Sequence, residues 1–183
     1  MGFQAGQNNW IFLGNLGMAS DGPTTGVLDI PSMDILTVHY SINGYATVDT
    51  AGFNFNRTQD LGFGGFHADR HIYAAAGTTT LTDNFDNAGT AGTGTSIRVA
   101  GFTTSQSQTG TMHVLASPGS YPYRPTLIYN ATSGIPGNAP PLEFPSPGCF
   151  QVADNITSIE LLTRFGGNMF AGTGFTVYGM NFG

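Results

Sequence analysis

The sequence predicts an all-β protein, a single β-sandwich or jelly roll spanning residues 1–183, with long Gly/Thr-rich and Pro-rich loops. Apolar residues recur at every second position, which is the period of a strand with one buried face. Helical spacing is almost missing, because the 27 glycines and 10 prolines interrupt nearly every window long enough for a helix. A chain of 183 residues is also long enough to bury a two-layer core in one domain.

The clearest predicted strand is 34–42, in which Leu36, Val38, Tyr40 and Ile42 form an apolar face opposite polar neighbours. Similar alternation, or a short apolar run between turn residues, predicts about eight to ten strands in total. In chain order the others are NWIFLGNL, GVLDI, AGFNFN, SIRVAGF, TMHVLAS, PTLIYNAT, NITSIELLTRF and GFTVYGM. The last two flank the turn residues GGN (166–168), which predicts a terminal β-hairpin.

Three segments do not show the alternation of apolar and polar residues that predicts strands. Residues 1–9 precede the first strand and are expected to form an extended N-terminal arm. Segment 74–95 is small, polar and glycine-rich, with Leu81 and Phe85 as its large apolar residues, and predicts a long exposed loop. Segment 118–147 carries eight prolines and three tyrosines. Proline favours extended backbone, so this segment predicts a rigid surface excursion around one strand at 126–130.

Composition argues against several classes of partner. Only 9% of the residues are charged, and the formal net charge is −6. The chain contains five arginines and no lysine. No basic stripe can therefore attract a phosphate backbone, and nucleic-acid binding is not expected. No apolar run approaches the roughly 20 residues of a membrane-spanning helix. The opening MGFQAGQNNW lacks the pattern of a secretory signal, and the lone Cys149 suits a reducing compartment.

Two clusters of side chains have residue types that can bind metal ions. His67 and His71 are four residues apart, but neighbouring glycines disfavour the helix that would align them, and no further ligand stands out. Asp83, Asp86 and Asn87 could supply oxygens to calcium, yet the alternating carboxylates and closing glutamate of a calcium loop are missing. Loop solvation explains both clusters better, and no metal or cofactor is expected.

Catalytic patterns are equally weak. Glu143 and Glu160 are the only glutamates, and nothing in the sequence pairs them as a glycosidase site requires. There is no G-x-S-x-G elbow, and Cys149 lacks any signature of a nucleophile. The sequence therefore predicts no catalytic residues.

Aromatic residues give the best candidates for partner binding. Trp10, Tyr121 and Tyr123 could form a platform for a sugar ring, or they could pack against a neighbouring protein, and the sequence leaves both open. Tyrosine and arginine are favoured interface anchors because each combines a large contact area with a polar tip. The predicted partner-binding residues are Trp10, Phe85, Tyr121, Tyr123, Arg124 and Tyr129.

The end of the chain resembles that of a large group of tailed-bacteriophage virion structural proteins. Those proteins close on an aliphatic-x-Tyr/Phe-Gly strand that follows a small-residue turn. Here Phe170 to Thr173 read as the turn, and Val177, Tyr178 and Gly179 read as the strand motif.

The resemblance extends to the first third of the chain. Trp10, the Ile30 and Pro31 step and the AGFNFN strand occupy matching places, although Asn54 stands where the similar proteins often carry arginine. The resemblance does not extend to segment 77–147.

This resemblance implies a non-enzymatic role in a virion. The expected role is a jelly-roll capsid decoration or cement protein, made in the host bacterial cytoplasm and located on the capsid surface. Its expected partners are the major capsid protein and copies of itself in a homo-oligomer, most simply a trimer. The alternative is a receptor- or glycan-binding module of a tail fibre or tail-associated protein.

Overall fold

The computed structural model describes residues 10–47, 50–56, 69–70, 83–84, 96–101, 107–116, 123–133, 142–151, 155–163 and 166–182. Every regular element among these residues is a β-strand, and none is a helix. The all-β prediction is therefore confirmed. The predicted arm at 1–9 lies outside the described residues, and so does most of the predicted loop at 74–95.

Twelve strands make up the described fold, and most follow the predicted segments. They are β1 (Ile11–Gly17), β2 (Thr24–Asp29), β3 (Ile35–Ile42), β4 (Thr50–Phe55), β5 (Asp69–Arg70), β6 (Asp83–Asn84), β7 (Ser96–Gly101), β8 (Ser107–Leu115), β9 (Tyr123–Ser133), β10 (Leu142–Gln151), β11 (Ser158–Thr163) and β12 (Gly174–Met180).

The strands form two main sheets, both antiparallel. The larger sheet has the order β1-β12-β3-β8-β9-β10, and the smaller has the order β2-β11-β4-β7. Strands β5 and β6 pair separately as a small two-stranded sheet. In the two main sheets, strands from the beginning of the chain pair with strands from its end, so both sheets depend on long-range pairing.

The core lies between the two main sheets, as in a β-sandwich. Phe53 of β4 is fully buried, and its ring centroid lies 5.5 Å from that of Tyr40 on β3 and 5.4 Å from that of Phe175 on β12. These edge-to-face contacts join one sheet to the other. The buried faces agree with the predicted alternation in the strands whose burial is described, including Leu36, Val38, Tyr40, Ile42, Phe53, Phe55, Met112, Val114, Ile159, Leu161, Phe175 and Val177.

The predicted terminal hairpin is wrong. Strand β11 lies in the four-stranded sheet, whereas β12 lies in the six-stranded sheet between β1 and β3. The connection between them therefore crosses from one sheet to the other. Met169 holds this crossing in place through antiparallel bridges to Gly22 and Tyr45. A crossover and a hairpin have the same local signature, since each is a turn between two alternating segments.

The prediction of a proline-rich excursion around one short strand is also wrong. Strand β9 is eleven residues long, and β10 follows it within the same segment. Pro145 and Pro147 lie in β10, opposite Tyr129 and Leu127. Proline cannot donate to a ladder, but β10 is the outermost strand and pairs only with β9. Pro145 and Pro147 are two positions apart, so their nitrogens lie on the same side of β10, and an edge strand has one side that takes no part in the ladder.

The turn before β12 is held by hydrogen bonds to two other segments. The N–H of Gly172 donates to the carbonyl of Met18, and the N–H of Met18 donates to the carbonyl of Thr173, both at 2.8 Å. The N–H of Asn43 donates to the Thr173 hydroxyl at 3.0 Å, and the Asn43 side-chain amide donates to the Ala171 carbonyl at 2.8 Å. The small residues of this turn therefore serve the closure of the fold.

A buried hydroxyl in the core yields a stability prediction. Tyr40 Oη has no hydrogen-bond partner within the described part of the chain. Burial raises the pKa of Tyr40 well above its ordinary value, and the neighbouring Tyr45 raises it further. Because an unpaired buried hydroxyl is costly, Tyr40→Phe is expected to raise the free energy of unfolding by about 1 kcal/mol in urea denaturation. Tyr178→Phe, at a partly exposed residue, is the control and should change the free energy of unfolding by less than about 0.5 kcal/mol. A destabilised Tyr40→Phe variant would show that the hydroxyl is bonded.

Candidate functional site

The side of the six-stranded sheet that points away from the core is the candidate site. We call it the outer face, and its residues follow from the strand register and from the alternation of buried and exposed positions. It consists of Phe12 and Asn15 on β1, Thr176, Tyr178 and Met180 on β12, Ile35, Thr37 and His39 on β3, and Thr111, His113 and Leu115 on β8.

The outer face is uncharged across four neighbouring strands. Strands β1, β12, β3 and β8 contain no Asp, Glu, Lys or Arg. The smaller sheet differs, since it contains Asp29, Arg98 and Glu160. Desolvating an unpaired charge is costly, so a face without charges can be covered by another surface at low electrostatic cost.

Two histidine–threonine pairs lie at the centre of this face. The Thr37 hydroxyl shares a hydrogen bond of 2.9 Å with Nδ1 of His113, and the Thr111 hydroxyl shares one of 2.9 Å with Nδ1 of His39. Each pair joins residues directly opposite one another on β3 and β8. The bonds fix both imidazole rings on the sheet, so these rings are part of an ordered surface.

Aromatic rings continue the surface towards the edge of the sheet. The Tyr178 ring lies between Phe12 and His39, with centroid separations of 5.8 Å to each and edge-to-face geometry. Phe12 is exposed and Tyr178 is partly exposed. The outer face thus combines aromatic rings with hydroxyl and imidazole groups, which suits contact with a protein surface or with a neutral sugar.

The surroundings of His113 alter its titration. Burial lowers the pKa of the His113 imidazole below its ordinary value, and the neighbouring His39 lowers it further. Protonating His113 therefore costs more in the folded protein than in the unfolded chain.

The lowered pKa of His113 in the folded protein predicts that stability depends on pH. With the folded pKa of His113 below the unfolded value of about 6.5, the unfolded state binds the proton more readily. The contribution of His113 to stability is thus present above about pH 6.5 and is lost as the pH falls through and below that value. Denaturation of the wild type and of His113→Gln should give a difference in unfolding free energy that shrinks as the pH falls from about 7.5 to about 5.5. Parallel pH profiles would contradict this prediction.

The structure places only some of the sequence-predicted partner residues. Trp10 is exposed and immediately precedes β1. Tyr123, Arg124 and Tyr129 lie in β9, where Tyr129 is the register partner of Thr111 on β8. Tyr121 and Phe85 lie outside the described residues. The aromatic platform of Trp10, Tyr121 and Tyr123 therefore stays a prediction.

Only one of the candidate metal-binding residues lies in the described part of the chain. Asp83 lies in β6, while His67, His71, Asp86 and Asn87 fall outside the described residues. Within the part of the chain that the structure describes, no group of three or more His, Cys, Asp or Glu side chains could hold a metal ion. Among the same residues, no helix is long and apolar enough to cross a membrane.

Sequence reasoning missed the outer face as a site. The signal was a histidine on the polar side of each of two predicted strands, 34–42 and TMHVLAS. Only the pairing of β3 with β8 brings His39 and His113 together. In comparisons with known proteins, no family model, curated protein or solved structure matches this chain.

Proposed function

We propose that this chain is a non-enzymatic structural protein of a tailed-bacteriophage virion, and that it serves as a capsid decoration or cement protein. The proposed partners are the major capsid protein and further copies of this chain, and the proposed location is the outer surface of the shell. The observation that carries the proposal is the strand order of the two main sheets, together with the turn and strand that close the fold.

The strand order supports a jelly roll. Strands β1, β2, β3 and β4 pair in turn with β12, β11, β8 and β7. This is the pairing of one long hairpin, rolled up so that successive strands alternate between two sheets, and a jelly roll has this arrangement. The β9–β10 hairpin extends one sheet beyond this plan. The motif of Val177, Tyr178 and Gly179 lies in β12, and β12 lies between β1 and β3 in the larger sheet.

The outer face supports a role in protein contact. A fold alone does not determine function, so the proposal also depends on a surface that can bind. Four adjacent strands without a charged residue offer such a surface, because a partner can cover them without burying an unpaired charge. The sequence-predicted contacts Trp10, Phe85, Tyr121, Tyr123, Arg124 and Tyr129 remain part of the proposal.

Copy number in purified virions tests this function. Quantitative mass spectrometry against the major capsid protein should find hundreds of copies of this chain in each particle. A shell protein is needed at many lattice positions, whereas a tail protein is needed at few. A handful of copies in each particle would overturn the proposal.

A second candidate is a glycan-binding module of a tail fibre or tail-associated protein. It is favoured by one observation, the rings of Phe12 and Tyr178 beside the hydroxyls and imidazoles of the outer face. Aromatic rings stack on the apolar faces of sugars, and the polar groups can bind their hydroxyls. Selective binding on a glycan array, lost in Tyr178→Ala, would favour this candidate over the shell protein.

A further inference from the structure

The residues that follow β3 include a dipeptide that can react with itself. Asn43–Gly44 is the only Asn-Gly step in the 183 residues of the chain. In such a step the backbone nitrogen of glycine can attack Cγ of the asparagine and close a five-membered ring. The two groups lie on adjacent residues, and glycine has no Cβ atom to hinder the approach. Asparagine is one of the thermolabile residues of proteins for this kind of reason.

The fold keeps this step in place and leaves it open to water. Asn43 is exposed to solvent. Gly44 has a φ of 118°, a conformation that favours glycine, so another residue at this position would be strained. Within the described part of the chain the Gly44 N–H donates no hydrogen bond, so no acceptor holds the nitrogen that would attack.

Asn43 also holds the turn that precedes β12. Its side-chain Nδ2 donates to the carbonyl of Ala171 at 2.8 Å, and its backbone N–H donates to the Thr173 hydroxyl at 3.0 Å. The amide lies against Gly172, where an added Cβ atom would be 2.5 Å from Nδ2. Asp21 binds the same turn, since its carboxylate accepts the Ala171 N–H at 2.8 Å. Two side chains therefore hold the backbone of Ala171.

We propose that Asn43 is a site of spontaneous deamidation, and that this modification loosens the turn before β12. The inference goes beyond the proposed virion role and does not depend on it. Water is the only reagent that the reaction needs. It therefore requires no enzyme and no further residue of the chain.

The reaction has two steps. In the first, the Gly44 nitrogen gives its proton to solvent and bonds to Cγ of Asn43, and the Cγ–Nδ2 bond breaks to release ammonia. In the second, water opens the succinimide ring that has formed. Breaking the bond between this nitrogen and Cγ gives aspartate, whereas breaking its bond to the backbone carbonyl carbon gives isoaspartate.

Either product removes the contact with Ala171. An amide nitrogen donates but a carboxylate only accepts, so the Ala171 carbonyl loses its donor and faces a second acceptor. The new carboxylate also adds a negative charge to a turn that the Asp21 carboxylate already binds, in a chain of formal charge −6. Water cannot restore the amide, so the loosening is irreversible.

Peptide mapping by mass spectrometry tests the site, with full-length protein incubated in mildly alkaline buffer. Asn43 should deamidate at least about ten-fold faster than Asn155, because only Asn43 is followed by glycine. It should give both aspartate and isoaspartate. Asn155 is the matched control in the same molecule, since it is also exposed but is followed by Ile156. Equal rates at the two asparagines would overturn the proposal.

Amide hydrogen exchange of the deamidated protein, separated by ion exchange, tests the loosening. The Phe170 N–H donates to the carbonyl of Gly44 at 3.1 Å, and it should exchange at least about three-fold faster after deamidation. Asn43→Asp should show the same acceleration, whereas Asn155→Asp, with the same change of charge, should not. If Asn43→Asp fails to fold, the deamidated wild type provides the comparison. Unchanged exchange at this turn after deamidation would overturn the proposal.

Discussion

Replacing Phe53 with alanine is expected to lower the free energy of unfolding by about 3–5 kcal/mol. Phe53 is fully buried, and its ring contacts Tyr40 and Phe175 on the opposite sheet. The substitution removes both edge-to-face contacts and leaves a cavity between the sheets, where a rigid β-framework closes only in part. A domain of ordinary stability has about 5–15 kcal/mol in total, so the loss is a large fraction.

Urea denaturation followed by tryptophan fluorescence or circular dichroism measures this loss. Phe182→Ala is the matched control, since Phe182 is 54% exposed and undergoes the same chemical change. It should alter stability by no more than about 0.5 kcal/mol. Equal losses in the two variants would show that Phe53 does not join the sheets.

The sequence was a good guide to individual strands. In β3 the apolar residues Leu36, Val38 and Ile42 are buried, and the polar His39 is exposed, as strict alternation predicts. Such a pattern is local, since each residue's burial follows from the face of the strand on which it lies. Turn residues at the strand ends reinforced the pattern, and most predicted strands were therefore found.

The sequence was a poor guide to which strands pair. Strand β12 lies beside β1 and β3, although the nearest strand along the chain is β11. A turn between two alternating segments does not reveal whether the chain reverses in one sheet or crosses to another. Strand β10 was missed for a related reason. Its prolines argue against a central strand, but they are tolerated in an edge strand, and edge position is a property of the whole sheet.

The candidate site could not be predicted from the sequence either, because it also depends on which strands pair. His39 and His113 are 74 residues apart in sequence and become neighbours only through the register of β3 with β8. Each histidine alone is an ordinary polar residue on a half-buried strand. Their hydrogen bonds to threonines on the opposite strand, and the absence of charge around them on the four strands, emerge only from the assembled sheet.

The closing turn provides the last prediction, at the point where β12 begins. Gly174 is paired in register with Gly17 of β1. A Cβ atom added at Gly174 would lie 2.5 Å from the carbonyl oxygen of Leu16 and 3.0 Å from the Cα of Gly17. Both neighbours are backbone atoms of β1, so no side-chain rotation can relieve the contact. The strands must separate, and Gly174→Ala is expected to lower the free energy of unfolding by about 1–3 kcal/mol.

Gly17→Ala is the matched control, because it makes the same chemical change on the other side of the same pair. A Cβ atom at Gly17 meets nothing within 4 Å. That substitution should be neutral or stabilising by up to about 1 kcal/mol, since alanine reduces the conformational freedom of the unfolded chain. Urea denaturation measures both changes, and amide hydrogen exchange should show faster exchange in β1 for Gly174→Ala alone. If the two variants behaved alike, the close approach of β1 to β12 would not be the reason for glycine at position 174.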